Sequence, residues 1–176
     1  SYISGKTYGA DDVASNLPRI ATSLRALHSL KPFDHEFNMF NTQSNYFKIV
    51  KEQGFRVPDG YVDFEPMVAQ IKKAFEVLFE GLVPCNNDLL PGNFIDDGKK
   101  IWLIDYEYSG NNDACFEIGN VWAEAFLPIE ALEELVTAYF GSHRPDKVAR
   151  AWLWALMAKY GWTLWASIQD SVSEIE

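Results

Sequence analysis

Val13, Leu17, Ile20, Leu24 and Leu27 recur at the three- and four-residue steps of one helix face, after an Asp11-Asp12 start and ahead of Pro32. A second helical pattern covers about Asn41 to Gln53 and stops at Gly54, a residue suited to the left-handed turn that ends helices. Arg56 to Tyr61 reads as a turn-rich link. A third helix is predicted over Phe64 to Phe79, with Met67, Val68, Ile71, Phe75 and Leu78 on one face and Gly81 at its end.

The period then changes. Phe94-Ile95 and Ile101 to Tyr106 read as short strands, with Asp96-Asp97-Gly98-Lys99-Lys100 as the turn between them. Helical spacing returns in Phe116 to Ala125. It continues in a helix opened by Pro128, carrying Leu132, Leu135, Val136 and Tyr139 up to Gly141, and in a last, longest helix from Pro145 to about Val172. No repeat or linker divides the chain, so one domain over residues 1–176 is predicted. Its class is α+β, mainly α, with one small β-hairpin near the middle.

Composition alters this picture in two ways. At 48% hydrophobic and 15% aromatic the chain is globular in type. Its net charge of -10 leaves no basic excess for nucleic-acid phosphates and suits a cationic ligand instead. Cys85 and Cys115 lack metal-ligand spacing and read as reduced core residues, which suggests a cytoplasmic protein. The start SYISGKTYGADD has no signal-peptide pattern, and the most apolar stretch, Ala151 to Ala158, is too short to span a bilayer.

The candidate chemistry lies in residues 84–110, PCNNDLLPGNFIDDGKKIWLIDYEYSG. A hairpin centred near Lys99 sets Asn93 across from a residue near Asp105, and Asp88 lies on the loop leading into the first strand. Two carboxylates and an amide oxygen thus fall in one region. Hard oxygen ligands of this kind suit magnesium, and one further carboxylate can take a proton from an attacking hydroxyl, as phosphoryl transfer requires. Each residue taken alone reads better as a turn or cap residue; the combined spacing favours the chemical role. Trp162 and Trp165, three apart, share a helix face that could be plain core or could hold a cation against aromatic rings. His28 is assigned to packing or capping, and His28, His35 and His143 share no metal-ligand spacing.

Asn86 to Asn93, NNDLLPGN, resembles the H-x-D-x-x-x-x-N catalytic loop of protein-kinase-like enzymes in the form used by choline kinases and aminoglycoside phosphotransferases. Ile104 to Asn112, IDYEYSGNN, resembles the metal-binding segment of choline/ethanolamine kinases. Phe116 to Glu124, FEIGNVWAE, is similar to that family's F-D-[IL]-G-N-x-x-x-E, and Trp162 to Gln169, WTLWASIQ, to its W-x-L-W-x-x-I-Q helix. Four motifs in order cover most of residues 84–169. The resemblance implies the C-terminal lobe of a kinase-like fold. It implies Asp88 as catalytic base, Asn93 and Asp105 as magnesium ligands, and Glu107, Tyr108, Glu124, Trp162 and Trp165 as substrate-binding residues. ATP and Mg2+ would be required, and the substrate would be the hydroxyl of choline, ethanolamine or a related small amino alcohol. The alternatives are an aminoglycoside, thiamine or sugar acceptor, or a non-catalytic binding domain.

The chain departs from that pattern twice. Asn86 stands where the motif has His, a loop-supporting position that an amide can fill by hydrogen bonding. No Gly-rich loop or strand lysine of an N-terminal ATP-binding lobe is found. Residues 1–8 are therefore expected to be a hinge remnant, with Ile3 against the nucleotide. The isolated chain is expected to be a fragment that turns over little by itself.

Overall fold

The computed structural model describes residues 3–172. They form two compact units. In the first, strand β1 (Lys6–Thr7) precedes helices α1 (Ala10–Ser15) and α2 (Leu17–His28). The sequence pattern predicted one helix here. Pro18 divides it, because a proline has no N–H for the helix and is tolerated only in a first turn; Asn16 is the non-helical joint.

The second unit holds α3 (Met39–Gln53), a 3-10 turn (Tyr61–Phe64) and α4 (Glu65–Val77). Asn38 accepts hydrogen bonds from Phe40 N–H and Asn41 N–H at the start of α3, and Gly54 ends the helix at φ 68°. Helix α4 buries Ile71 and Phe75. Met67 and Leu78, placed on its apolar face by spacing, are exposed. Leu78 falls past the helix end, which comes before Gly81 is reached.

The chain then returns to the first unit. Strand β2 (Val83–Cys85) pairs antiparallel with β5 (Gly110–Asn112), and β3 (Phe94–Asp96) with β4 (Ile101–Leu103); β1 adds to β3. The predicted hairpin is therefore present, but its second strand stops at Leu103, because Asp105 turns left-handed at φ 58°. The β2–β5 ladder and β1 carry too few apolar residues to show a period in the sequence. Helices α5 (Ala114–Glu124), α6 (Ile129–Phe140) and α7 (Pro145–Val172) follow. Helix α7 belongs to the first unit through Ala155 and to the second from Leu156.

The first unit is built on buried Leu17, Ile20, Leu24, Phe94, Phe116, Ile118 and Leu132. Helix α6 is tied to α2 at its end, where the Arg25 guanidinium donates to the Ala138 carbonyl. Gly119 lets α5 lie against α7, since a Cβ there would come within 2.2 Å of the Ala151 carbonyl oxygen. The hairpin is anchored to α2 by the Arg19–Asp96 ion pair, and Tyr8 donates its hydroxyl to the same carboxylate at 2.8 Å. The second unit packs Val50, Tyr61 and Leu164 with Tyr46, Phe47 and Tyr160. The Tyr61 and Tyr160 rings stack there at 4.1 Å.

Candidate active site

The loop 86–93 leaves β2 and enters β3, and its shape is set by three asparagines. The side chain of Asn86 donates to the carbonyls of Ile104 (3.0 Å) and Asp105 (2.8 Å), while its oxygen accepts the Asp88 N–H (3.0 Å). It thus clamps the loop to the end of β4, the supporting role expected of an amide at this position. Asn87 is buried with φ 70°. Its amide donates to the carbonyls of Tyr108 (3.0 Å) and Gly110 (3.2 Å) and accepts from Asn112 (2.9 Å). Asn93 turns back on the loop, its amide nitrogen donating to the Asp88 carbonyl at 2.7 Å and its own carbonyl accepting the Ile104 N–H at 3.1 Å. The pairing Phe94↔Leu103 extends by one residue to Asn93 and Ile104, one short of Asp105.

Asn87 and Asp105 are two of the three non-glycine residues with positive φ among the described residues. Asparagine and aspartate tolerate this region best, and such backbone persists where its surroundings determine it, often at functional sites. Both lie within the cluster of hydrogen bonds just described.

The electrostatics mark the same spot. The Asp88 carboxyl is pushed up to about 6, first by burial and then by the negative charges of Glu124, Glu107 and Asp105. Three carboxylates, Glu124, Glu107 and Asp105, therefore bear on Asp88. No described residue forms a hydrogen bond or ion pair with the carboxylate of Asp88 or Asp105. Because Asn93 spends its amide nitrogen on Asp88, its side-chain oxygen is left to accept or to ligate. Concentrated negative charge, carboxylates without partners and an amide oxygen form a donor set that fits a hard divalent cation.

Helix α5 runs beneath the loop and follows it residue by residue. Glu117 is fully buried and accepts the N–H groups of Asn86 (2.6 Å) and Asn87 (3.0 Å). Asn120 accepts the N–H of Leu89 at 2.8 Å. Glu124, one turn further, contributes the largest charge effect on Asp88. The helix is held in turn by Asp113 at its N-cap. This residue accepts the Cys115 N–H at 2.8 Å and pairs with the buried Arg150 of α7 at 2.5 and 2.7 Å. None of Asn87, Asp113, Glu117 or Asn120 was picked out as functional from the sequence. A signal existed: Glu117, Asn120 and Glu124 are the polar positions of an otherwise apolar helix, and their spacing of three and four makes them one face.

Of the residues anticipated from sequence, the structure brings together Asp88, Asn93, Asp105, Glu107 and Glu124. Tyr108 enters through its carbonyl, bound by Asn87. Trp162 and Trp165 lie on α7 in the second unit, Trp162 half-buried near the Tyr46 ring and Trp165 exposed. Ile3 is half-buried; Ser1 and Tyr2, the first residues of the expected hinge, lie outside the described residues. Cys85 and Cys115 are free thiols and buried, as read from composition. His28 does more than pack, being hydrogen-bonded to Glu117.

A profile of choline/ethanolamine kinases matches residues 1–134. The chain belongs to the choline/ethanolamine kinase family. Protein LicA of Haemophilus influenzae is 30% identical over 129 residues, which is 71% of this chain and 37% of that protein. Ethanolamine kinase 2 of Homo sapiens is 30% identical over 165 residues, 78% of this chain and 42% of that protein. The chain thus spans about half or less of the length of these family members. A choline/ethanolamine kinase family protein from Mesorhizobium loti superposes with a TM-score of 0.91 at 29% identity, covering 99% of this chain and 62% of that one. Aminoglycoside 3'-phosphotransferase of type VIII shares the fold at a TM-score of 0.61 over 89% of this chain and 66% of that one. The mainly helical, kinase-like architecture expected from the family motifs is therefore the one observed. Among the described residues, no helix is long and apolar enough to cross a membrane.

Proposed function

We propose that this chain carries the catalytic site of a cytoplasmic, ATP-dependent phosphotransferase that phosphorylates the hydroxyl of choline, ethanolamine or a related small amino alcohol. Family membership supports the reaction class. The observation that carries the proposal is Asp88. Its carboxylate has no hydrogen-bond partner among the described residues, burial and neighbouring negative charges push its pKa up to about 6, and it sits on a loop fixed by backbone bonds rather than by its own side chain. A group so placed is available to take the substrate proton as the oxygen attacks the terminal phosphate. The loop bonds pre-set its position, which is the main protein contribution to phosphoryl transfer.

Asn93 and Asp105 would hold Mg2+, for which the donor set described above is suited. Magnesium bound there would offset the charge of the transferred phosphate. Glu107, Tyr108 and Glu124 are assigned to the alcohol and its cationic end. Trp162 and Trp165 are assigned aromatic faces toward the ammonium group by their motif. Ile3 is assigned to the nucleotide edge of the catalytic lobe.

A panel of acceptors assayed with the intact protein, ATP and Mg2+ tests the substrate class. Choline or ethanolamine is expected to give the highest kcat/KM, well above thiamine, an aminoglycoside or a sugar. Turnover of any of those three with indifference to both amino alcohols would overturn the acceptor assignment. The thiamine arm is pertinent because the thiamine kinase of Escherichia coli is 31% identical over 102 residues, 54% of this chain and 36% of that protein. No transfer to any acceptor by a folded, nucleotide-binding protein would instead favour a non-catalytic role.

A further inference from the structure

The residue that grips the loop is itself gripped. One oxygen of Glu117 accepts the two loop N–H groups, and the other lies 2.5 Å from Nε2 of His28. On the far side of the imidazole, Nδ1 lies 2.7 Å from the Tyr139 hydroxyl. His28 and Glu117 are buried. Burial, before any neighbouring charge, holds the Tyr139 hydroxyl well above the usual phenol range, so it keeps its proton. These contacts dictate an order of protons. A carboxylate can only accept, so Nε2 donates to Glu117; in a neutral imidazole Nδ1 is then bare and accepts from the Tyr139 O–H. The chain Tyr139–His28–Glu117–Asn86/Asn87 joins helices α6 and α2 to α5 and ends on the loop backbone.

His28, Cys85 and Glu117 also place one potential ligand atom each within 4.8 Å of one another. A metal ion does not explain the arrangement. A separation of 2.5 Å between Nε2 and the carboxylate oxygen is that of a hydrogen bond, whereas two ligands at roughly 2.0–2.1 Å from one tetrahedral ion stand further apart. The remaining oxygen of Glu117 is already engaged by the loop.

We propose that His28 and Tyr139 are positioning residues for phosphoryl transfer: they hold Glu117 in the orientation that fixes the Asn86 and Asn87 peptides and thereby aims Asp88. This rests on Asp88 being the base. The loop needs such support because Asn87 is held left-handed immediately before Asp88. Without His28 the buried carboxylate loses its donor, and turning toward another would release one or both loop N–H groups. A misplacement of about 1 Å at the reacting groups costs on the order of 10²-fold in rate while leaving binding contacts largely intact.

The test is steady-state and single-turnover kinetics on the intact protein for His28→Leu, His28→Gln and Tyr139→Phe, with Asp88→Asn as reference. His28→Leu is expected to lower kcat per folded site on the order of 10²-fold, with the KM values for ATP and acceptor little changed. Glutamine, whose amide N–H can replace the Nε2 donor, restores most of the loss. Tyr139→Phe, which removes one hydroxyl, gives a smaller kcat defect of the same kind. If His28→Leu and Tyr139→Phe lower only the folded fraction, and each folded site turns over at the wild-type rate, the proposal is overturned. Should His28→Leu fail to fold, a wild-type kcat in Tyr139→Phe overturns it alone. Wild-type activity in Asp88→Asn would sink the assignment of the base. An inactive Asp88→Asn beside fully active His28→Leu and Tyr139→Phe would sink only the relay.

Discussion

Asp88→Asn in the intact protein should lower kcat by about 10²–10⁴-fold, the range that general-base assistance supplies, while substrate KM values change little. The asparagine has nearly the same volume and keeps the backbone N–H and carbonyl that bind Asn86 and Asn93, so the loop survives. It cannot accept the hydroxyl proton. The same substitution should raise the thermal midpoint at neutral pH. The Asp88 carboxyl titrates near 6 in the fold against an ordinary value of 3.8, because burial and then the charges of Glu124, Glu107 and Asp105 disfavour its ionised form. A group whose pKa is raised on folding costs stability once pH exceeds its unfolded value, and the full cost is reached above its folded value. Removing the carboxylate therefore stabilises at pH 7 and has little effect near pH 3. For the wild type, kcat/KM should fall on the acid side with a pKa near 6. Glu124→Gln should move that limb to lower pH, since it deletes the largest of the neighbouring negative influences. A stable but inactive Asp88→Asn, together with a wild-type acid limb, supports the assignment; full activity in Asp88→Asn rejects it.

Asp113→Ala should produce the largest loss of stability. The residue caps α5, a contribution of about 1 kcal/mol, and balances Arg150, which is buried on α7. Breaking a buried ion pair from one side costs about 3–5 kcal/mol because the other charge stays in place. For a domain of this size the sum corresponds to a fall in thermal midpoint of roughly 10 °C or more, measurable by calorimetry. Asp113→Asn keeps the cap and should recover only the smaller share. Arg150→Met in the Asp113→Ala background should recover part of the larger one. A midpoint within about 2 °C of wild type for Asp113→Ala, less than 1 kcal/mol at this chain length, would show that the pair does not hold α5 in place.

The helices and the hairpin were legible because their evidence is local. A stripe at Val13–Leu27, a glycine at 54 or 141 and a proline at 145 act within a few residues. The break at Pro18 was equally local and was masked by an unbroken apolar stripe running across it. The β2–β5 ladder was not legible. It joins residues far apart in the chain, two of its six are asparagines and one is glycine, and no two-residue period survives. At the site, the residue types that do chemistry stood out: a loop aspartate, an asparagine five residues on, and an aspartate after the hairpin. The residues that hold them did not. Glu117 and His28 acquire their roles through contacts between α2, α5 and the loop, which no spacing rule encodes. Asn87 looked like ordinary turn composition, yet it organises three carbonyl groups around itself.

The central claim is that Asn93 and Asp105 form a divalent-cation site beside Asp88. Its most direct test is Mn2+ binding, followed by water-proton relaxation, to the intact protein in the presence of ATP. Asp105→Asn and Asn93→Ala should each weaken Mn2+ binding about 10-fold or more, whereas Asp88→Asn should bind it as well as wild type. Unchanged Mn2+ affinity in the first two variants would contradict the account.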